Sequence, residues 1–248
     1  MPEYQIRMKI TQLHNWNITI EKARAIQLEL NEKILLQKLT APIRLIAGAD
    51  VSYSKKVDMC FAAVTVFQFP EMKVVEQTNS TGLLSFPYVS GYLTFREAPI
   101  LLSAFEKVEN APDLVLFDGQ GIAHPRRMGL AAHLGIILDL PSVGCAKSLL
   151  VGKFKNPREE RGSWTELIYQ NTQIGAVVRT RDGVKPVFVS PGFKITIEEA
   201  VEWILKTCSG YRIPEPIRTS HLEVNQLRLN YEQQLMRRSY EKNWTGVS

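Results

Sequence analysis

The chain has 248 residues, of which 45% are apolar or aromatic and 22% charged. That is the balance of a water-soluble globular protein with a sizeable core, and it excludes a disordered or fibrous chain. Thirty Lys and Arg against twenty-five Asp and Glu leave a net charge of +5, which suits a nucleic-acid partner without requiring one.

The opening stretch MPEYQIRMKITQLHNW is broken by polar residues and has no apolar core of the kind a signal peptide carries. Residues 19–37 place Ala23, Ile26, Leu30 and Ile34 at helical spacing behind Thr19, so a helix capped by Thr19 is expected there. Strands follow at 44–53, 58–69 and 72–80, the last two joined by a turn at Pro70-Glu71. Their short connections imply an antiparallel meander. A loop, SFPYVSGY (85–92), leads to a helix over 93–109 that must stop before Pro112. DLVLFDG (113–119) is a short strand with a wholly apolar interior, as central parallel strands have.

A loop at 119–129, a helix at 130–140 and a strand at 142–148 come next, followed by a polar, basic stretch at 153–163. Short strands around 165–190 read as a small hairpin appendage, with turn signals at Asn171-Thr172 and Asp182-Gly183. Helices are expected over 195–208 and from about Arg218 onward. The expectation is one α/β domain over 1–224: three antiparallel strands, then parallel ones, flanked by helices. Residues 225–248 form a basic tail that either adds contacts or frays. The longest uncharged apolar stretches, 59–70 and 128–138, fall short of the roughly 20 residues needed to span a bilayer. Cys60, Cys145 and Cys208 have no paired spacing, so a reducing, cytoplasmic setting is expected.

Asp50 and Asp118 each close an apolar run, at the strand ends where open α/β sheets bind ligands. A carboxylate there is costly unless it caps, pairs or binds a cation; Asp118 before Gly119 reads equally well as a turn-former. Glu97 adds a third carboxylate, or is simply an acid near a helix N-terminus. Converging, the three would form an oxygen-rich site for Mg²⁺ or Mn²⁺. His221 is a surface histidine or a base for an attacking water. Lys147 closes its strand, either solvated or against a phosphate. GQG (119–121) lacks the rest of a dinucleotide fingerprint. His133, nine residues after His124, lies on an apolar helical face and reads as a packed polar group rather than a ligand. Loop residues Arg126, Lys153 and Lys155 suggest a phosphate-binding lip, and the FPYVSGY rings either stack on bases or close over the core.

PYVSGYLTFRE, DLVLFDGQGIAHPRRMGLAAHLG, PSVGCAKSLLVGKF and GYRIPEPIRTSH together resemble the endonuclease V family, from LIAGADVSY to His221. The resemblance implies a ribonuclease H-like fold and a Mg²⁺-dependent cut (Mn²⁺ substituting) at the second phosphodiester 3′ to a deaminated base, chiefly inosine. That cut leaves 3′-hydroxyl and 5′-phosphate ends. It implies metal carboxylates Asp50, Glu97 and Asp118, a catalytic Lys147, and His221 acting on water. It further implies a strand-separating wedge at Pro87, Tyr88, Val89 and Ser90, and a base pocket at Gly91, Leu93, Gly119, Gly121, His124 and His133. Arg96, Arg126, Lys153 and Lys155 are expected on phosphates. The implied partner is inosine-containing DNA, with single-stranded RNA a secondary one, bound by a monomer away from membranes. The family's wedge is Pro-Tyr-Ile-Pro. Ser90 replaces its second proline, so a looser turn and weaker lesion discrimination are expected. A non-cutting reader of deaminated bases and a junction-type nuclease of the same fold are the alternatives.

Overall fold

The computed structural model describes residues 8–244. Three antiparallel strands open the sheet: β1 (Leu45–Tyr53), β2 (Met59–Gln68) and β3 (Lys73–Leu83). Strand β4 (Leu114–Phe117) then pairs parallel with β1, and β5 (Ser142–Ala146) parallel with β4. Both are buried along their whole length, as their apolar composition requires.

The strands β6 (Trp164–Tyr169), β7 (Thr172–Val178) and β8 (Val187–Phe193) correct one expectation. They are not an appendage. β8 pairs antiparallel with β5, and the sheet runs β3-β2-β1-β4-β5-β8-β7-β6 without a break. The apolar face of β8, buried at every position, is what draws the hairpin into the main sheet.

Helices cover both faces. α2 (Leu93–Phe105) and α3 (Leu130–Leu138) pack on the face carrying Ala47, Ala49, Val115 and Phe117. α4 (Ile197–Lys206) and the start of α5 (Glu215–Trp244) pack on the face carrying Ile46, Leu114 and Leu116. This is the alternation of side chains along a strand, and it decides which helix each site residue meets.

The first helix, α1 (Ile20–Asn31), begins at the Thr19 cap as expected but stops short of residue 37. Beyond it the chain becomes an extended strap: the Leu35 carbonyl accepts from the Lys194 N–H, and the Leu39 N–H donates to Glu199. α2 likewise ends at Phe105, ahead of residue 109. α5 starts before Arg218 and carries residues 225–244 of the expected tail as one helix, while 245–248 lie outside the described residues. Val224, Leu227 and Tyr231 on it pack against Phe61.

Gly48 lets α5 come this close to the sheet. A Cβ there would lie 2.0 Å from the Pro216 carbonyl oxygen. Ser220 fastens the contact, donating to the Gly48 carbonyl at 2.8 Å and lying 3.1 Å from Thr65 Oγ1. The next residue of the helix is His221.

Candidate active site

The parallel register pairs Ala49 with Phe117, so Asp50 and Asp118 stand side by side where β4 ends. Asp50 does not end its strand as expected; β1 continues past it to Tyr53, paired with β2. Lys147 follows β5, the next parallel strand, and its Nζ lies 2.5 Å from Asp118 Oδ2. His221 Nδ1 lies 2.6 Å from Asp50 Oδ2. One ligand atom from each of Asp50, Asp118 and His221 lies within 4.8 Å of the others.

Burial and the nearby Asp50 charge push the Asp118 carboxyl above its ordinary range, against the pull of Lys147. The hydrogen bond to Asp50 raises the His221 pKa. Asn225, one turn along α5, donates to the His221 carbonyl at 2.8 Å and lies 3.1 Å from its Nε2. Ser52 and Arg228 hold Asn225 in turn.

Glu97, expected as a third converging carboxylate, approaches from the opposite side and is not among the residues whose ligand atoms cluster. Residues at odd positions of β1 face α2, so Tyr53 rather than Asp50 meets Glu97, and its hydroxyl donates to Glu97 Oε1. Glu97 is 3% exposed, and its Oε2 has no hydrogen-bond partner among the described residues. Burial, reinforced by Asp50 and Asp118, pushes its pKa up to about 8. A buried carboxyl oxygen left without a partner is costly unless a proton or a cation completes it. The two carboxylates and one imidazole of the cluster, with no thiolate, are a donor set that could hold a divalent cation.

Beside the cluster opens a cavity of about 380 Å³, with Asp118 and Lys147 in its wall. Tyr88, Val89 and Ser90 line it, together with Gly91, Leu93, Gly119 and His124. Tyr88 is 80% exposed. Gln120, Leu149 and Leu150 also line it; all three lie within the quoted motifs, but none is singled out there as a site residue.

Several expected pocket and phosphate residues lie elsewhere. His133 is fully buried against His14, Trp16 and Phe95, its Nε2 2.7 Å from that of His14, and it does not reach the cavity. Gly121 lies beneath the cavity floor, donating to Ser190 Oγ, where a Cβ would meet the Pro191 carbonyl. His124 stands at the cavity wall, but its Nε2 donates to the Gly91 carbonyl and burial lowers its pKa to about 4, so it is neutral. Arg96 and Arg126 turn inward rather than to solvent: Arg96 donates to the Phe86 carbonyl and Arg126 to that of Gly91. Lys153 and Lys155 are exposed beside β6, where Lys153 bridges to Ile168 through its backbone.

A mixed sheet with three antiparallel strands leading into parallel ones, and acidic residues joined at the β1/β4 edge, defines a metal-dependent nuclease of the ribonuclease H-like class. The model of the Endonuclease V family matches residues 28–222. Endonuclease V of Dehalococcoides mccartyi is 47% identical over 222 residues, covering 90% of this chain and 100% of that protein. The crystal structure of Endonuclease V from Streptomyces avermitilis superposes with a TM-score of 0.84 at 37% identity, covering 88% of this chain and 96% of that one. Ciona intestinalis Endonuclease V, crystallised with a 24mer DNA containing an inosine followed by a ribo-adenosine, is 29% identical with a TM-score of 0.76, covering 86% of this chain and 98% of that one. The chain belongs to the Endonuclease V family. It is a metal-dependent endonuclease acting on DNA that carries a deaminated base. No helix among the described residues is long and apolar enough to cross a membrane.

Proposed function

We propose that the chain nicks a strand at the second phosphodiester bond 3′ to inosine, leaving 3′-hydroxyl and 5′-phosphate ends. The observation that carries this reading is that Asp118 belongs both to the cation cluster and to the wall of the cavity beside Tyr88. A base held in that cavity leaves its own strand's phosphates close to the carboxylates. Asp50, Asp118 and His221 would hold Mg²⁺, with Mn²⁺ able to substitute and Glu97 Oε2 completing the site. When bound there, such a cation supplies a water of lowered pKa and offsets charge on the reacting phosphoryl group.

The chain's own groups do the rest. Tyr88, with Pro87, Val89 and Ser90, enters the duplex and separates the strands, an opening that a mispaired inosine makes less costly. Leu93 and Gly119 shape the pocket for the extruded base. Lys147, paired with Asp118, stands where it could turn to a phosphate held at the cation site. His221, anchored through Nδ1 on Asp50, would act through Nε2 alone, as a ligand of the cation that supports its water. Lys153 and Lys155 would add salt-sensitive contacts to the backbone. We read the chain as a monomer, and three buried free cysteines fit the reducing cytoplasm. A pocket that reads the base also admits inosine followed by a ribonucleotide, so single-stranded RNA is a second substrate.

End-labelled strands carrying inosine, uracil, an abasic site or no lesion, in DNA and in RNA, test this reading. With Mg²⁺, the expected product is a nick one nucleotide beyond the inosine's 3′ neighbour bond in both backbones. Release of the base, or cutting of the undamaged strand at a similar rate, would overturn it.

A further inference from the structure

The Gly91 carbonyl, at the end of the loop that bears Tyr88, accepts from three side chains. Gln27 Nε2 lies at 3.0 Å, His124 Nε2 at 2.9 Å and an Arg126 guanidinium nitrogen at 2.7 Å. His124 and Arg126 belong to the neighbouring loop. Gln27 comes from α1, which supplies no other group to the site. It is fully buried beside Ala23, Ile26 and Leu30. Its carboxamide is committed on both sides: Nε2 also donates to the Met128 carbonyl at 3.2 Å, and Oε1 accepts from Arg126 Nε at 2.6 Å.

A carboxamide at such a position costs free energy relative to an apolar residue unless all its bonds are made. What those bonds hold is the frame of one loop. Gln27 orients Arg126, whose guanidinium lies 4.4 Å from the centroid of the Tyr92 ring and reaches the same Gly91 oxygen. At the other end of the loop, Arg96 donates to the Phe86 carbonyl at 2.6 Å. Between these anchors Tyr88 stays exposed. The Tyr92 N–H donates to the Val89 carbonyl, closing a turn in which Gly91 has φ +78°. Ser90 therefore occupies the second position of that turn, where proline would preset φ.

We propose that Gln27 is a positioning residue for strand opening: it fixes the Gly91 carbonyl and steers Arg126, giving the turn from α1 the stiffness that Ser90 does not supply. The proposal rests on the reading of Tyr88 as a wedge. It also revises the expectation that Ser90 leaves the wedge loose, because the turn is pinned from outside itself.

The test is steady-state cleavage of inosine in a duplex against inosine in a single strand, which needs no opening. Gln27→Met keeps the volume and loses every hydrogen bond; Gln27→Glu keeps the acceptor for Arg126 and loses the two donors. Both are expected to lower kcat/KM on the duplex by about tenfold, with single-strand cleavage held within about twofold. Adding Ser90→Pro to Gln27→Met is expected to restore part of the duplex rate. Tyr88→Ala should depress the same duplex-to-single-strand ratio. A Gln27 variant that loses both substrates equally, or neither, overturns the proposal. If Tyr88→Ala changes the ratio and the Gln27 variants do not, the positioning role alone fails. If Tyr88→Ala leaves the ratio unchanged, the wedge reading falls and the proposal with it.

Discussion

Asp118→Asn is expected to lower cleavage of an inosine-containing strand by about 10³-fold, while the folded protein becomes more stable without metal. Asp118 offers a ligand atom to the candidate cation cluster and stands in the cavity wall, so its charge would hold the metal beside the reacting phosphate. In the metal-free protein that charge is unfavourable. Burial and the adjacent Asp50 raise the Asp118 pKa, which means that folding penalises the ionised form. Asparagine keeps the shape and removes the penalty, the usual exchange of activity for stability at a catalytic position. Thermal unfolding and cleavage on the same preparations check this. Mg²⁺ should raise the wild-type midpoint, because a ligand bound only by the folded state stabilises it, and should do so far less in the variant. An Asp118→Asn protein that cleaves at the wild-type rate would remove the residue from the mechanism.

Glu97→Gln is expected to lower cleavage by about 10²-fold and to change how stability depends on pH. The folded-state pKa of about 8 lies above the ordinary value of 4.5. Below pH 4.5 the carboxyl is protonated in both states and neutral to stability. Between 4.5 and about 8 the folded state retains a proton that the unfolded chain releases, so this group makes stability fall as pH rises. Asp118 and His221, whose pKa values are also raised, add slopes of the same sign. Subtracting wild type from variant isolates Glu97. In chelator, the advantage of Glu97→Gln should grow from pH 5 to pH 8 and then level off. A constant difference across that range would mean that the carboxyl is already ionised in the folded protein at pH 5. Tyr53, which donates to Glu97, should stay a neutral phenol throughout, because burial and the neighbouring carboxylate both raise its pKa.

Much of the site is legible in the sequence, because strand ends are marked in the chain by polar residues closing apolar runs. Asp118 and Lys147 follow β4 and β5 in that way. Asp50 was legible for a partly wrong reason: β1 runs on beyond it, and what ends at its level is the pairing with β4. Convergence was not legible. It depends on a parallel register, on Gly48 giving α5 room beside β1, and on side-chain parity, which sends Tyr53 rather than Asp50 to Glu97.

Basic residues were the weakest guide. Arg96 and Arg126 sit in a surface-like pattern, yet carbonyl groups of the Tyr88 loop capture both. A backbone acceptor leaves no trace in composition, and Gln27, which orients one of them, looks like any polar residue of an amphipathic helix. The hairpin at β6 and β7 was read as an appendage for a related reason. Its turn signals were plain, but nothing in them tells which open sheet edge will accept the strand that follows. For His133 the apolar helical face is the better guide than the family resemblance: α3 is buried all round and packs it as a polar group into the aromatic cluster with Trp16 and Phe95.

The central claim is that Asp50, Asp118 and His221 hold a divalent cation on which cleavage depends. Mn²⁺ binding followed by electron paramagnetic resonance tests it most directly, with cleavage of a labelled inosine strand measured on the same samples. The expected result is saturable Mn²⁺ binding by the wild-type protein, weakened together with cleavage in Asp50→Asn and Asp118→Asn. Undiminished Mn²⁺ binding in both variants, or cleavage that persists in chelator, would contradict it.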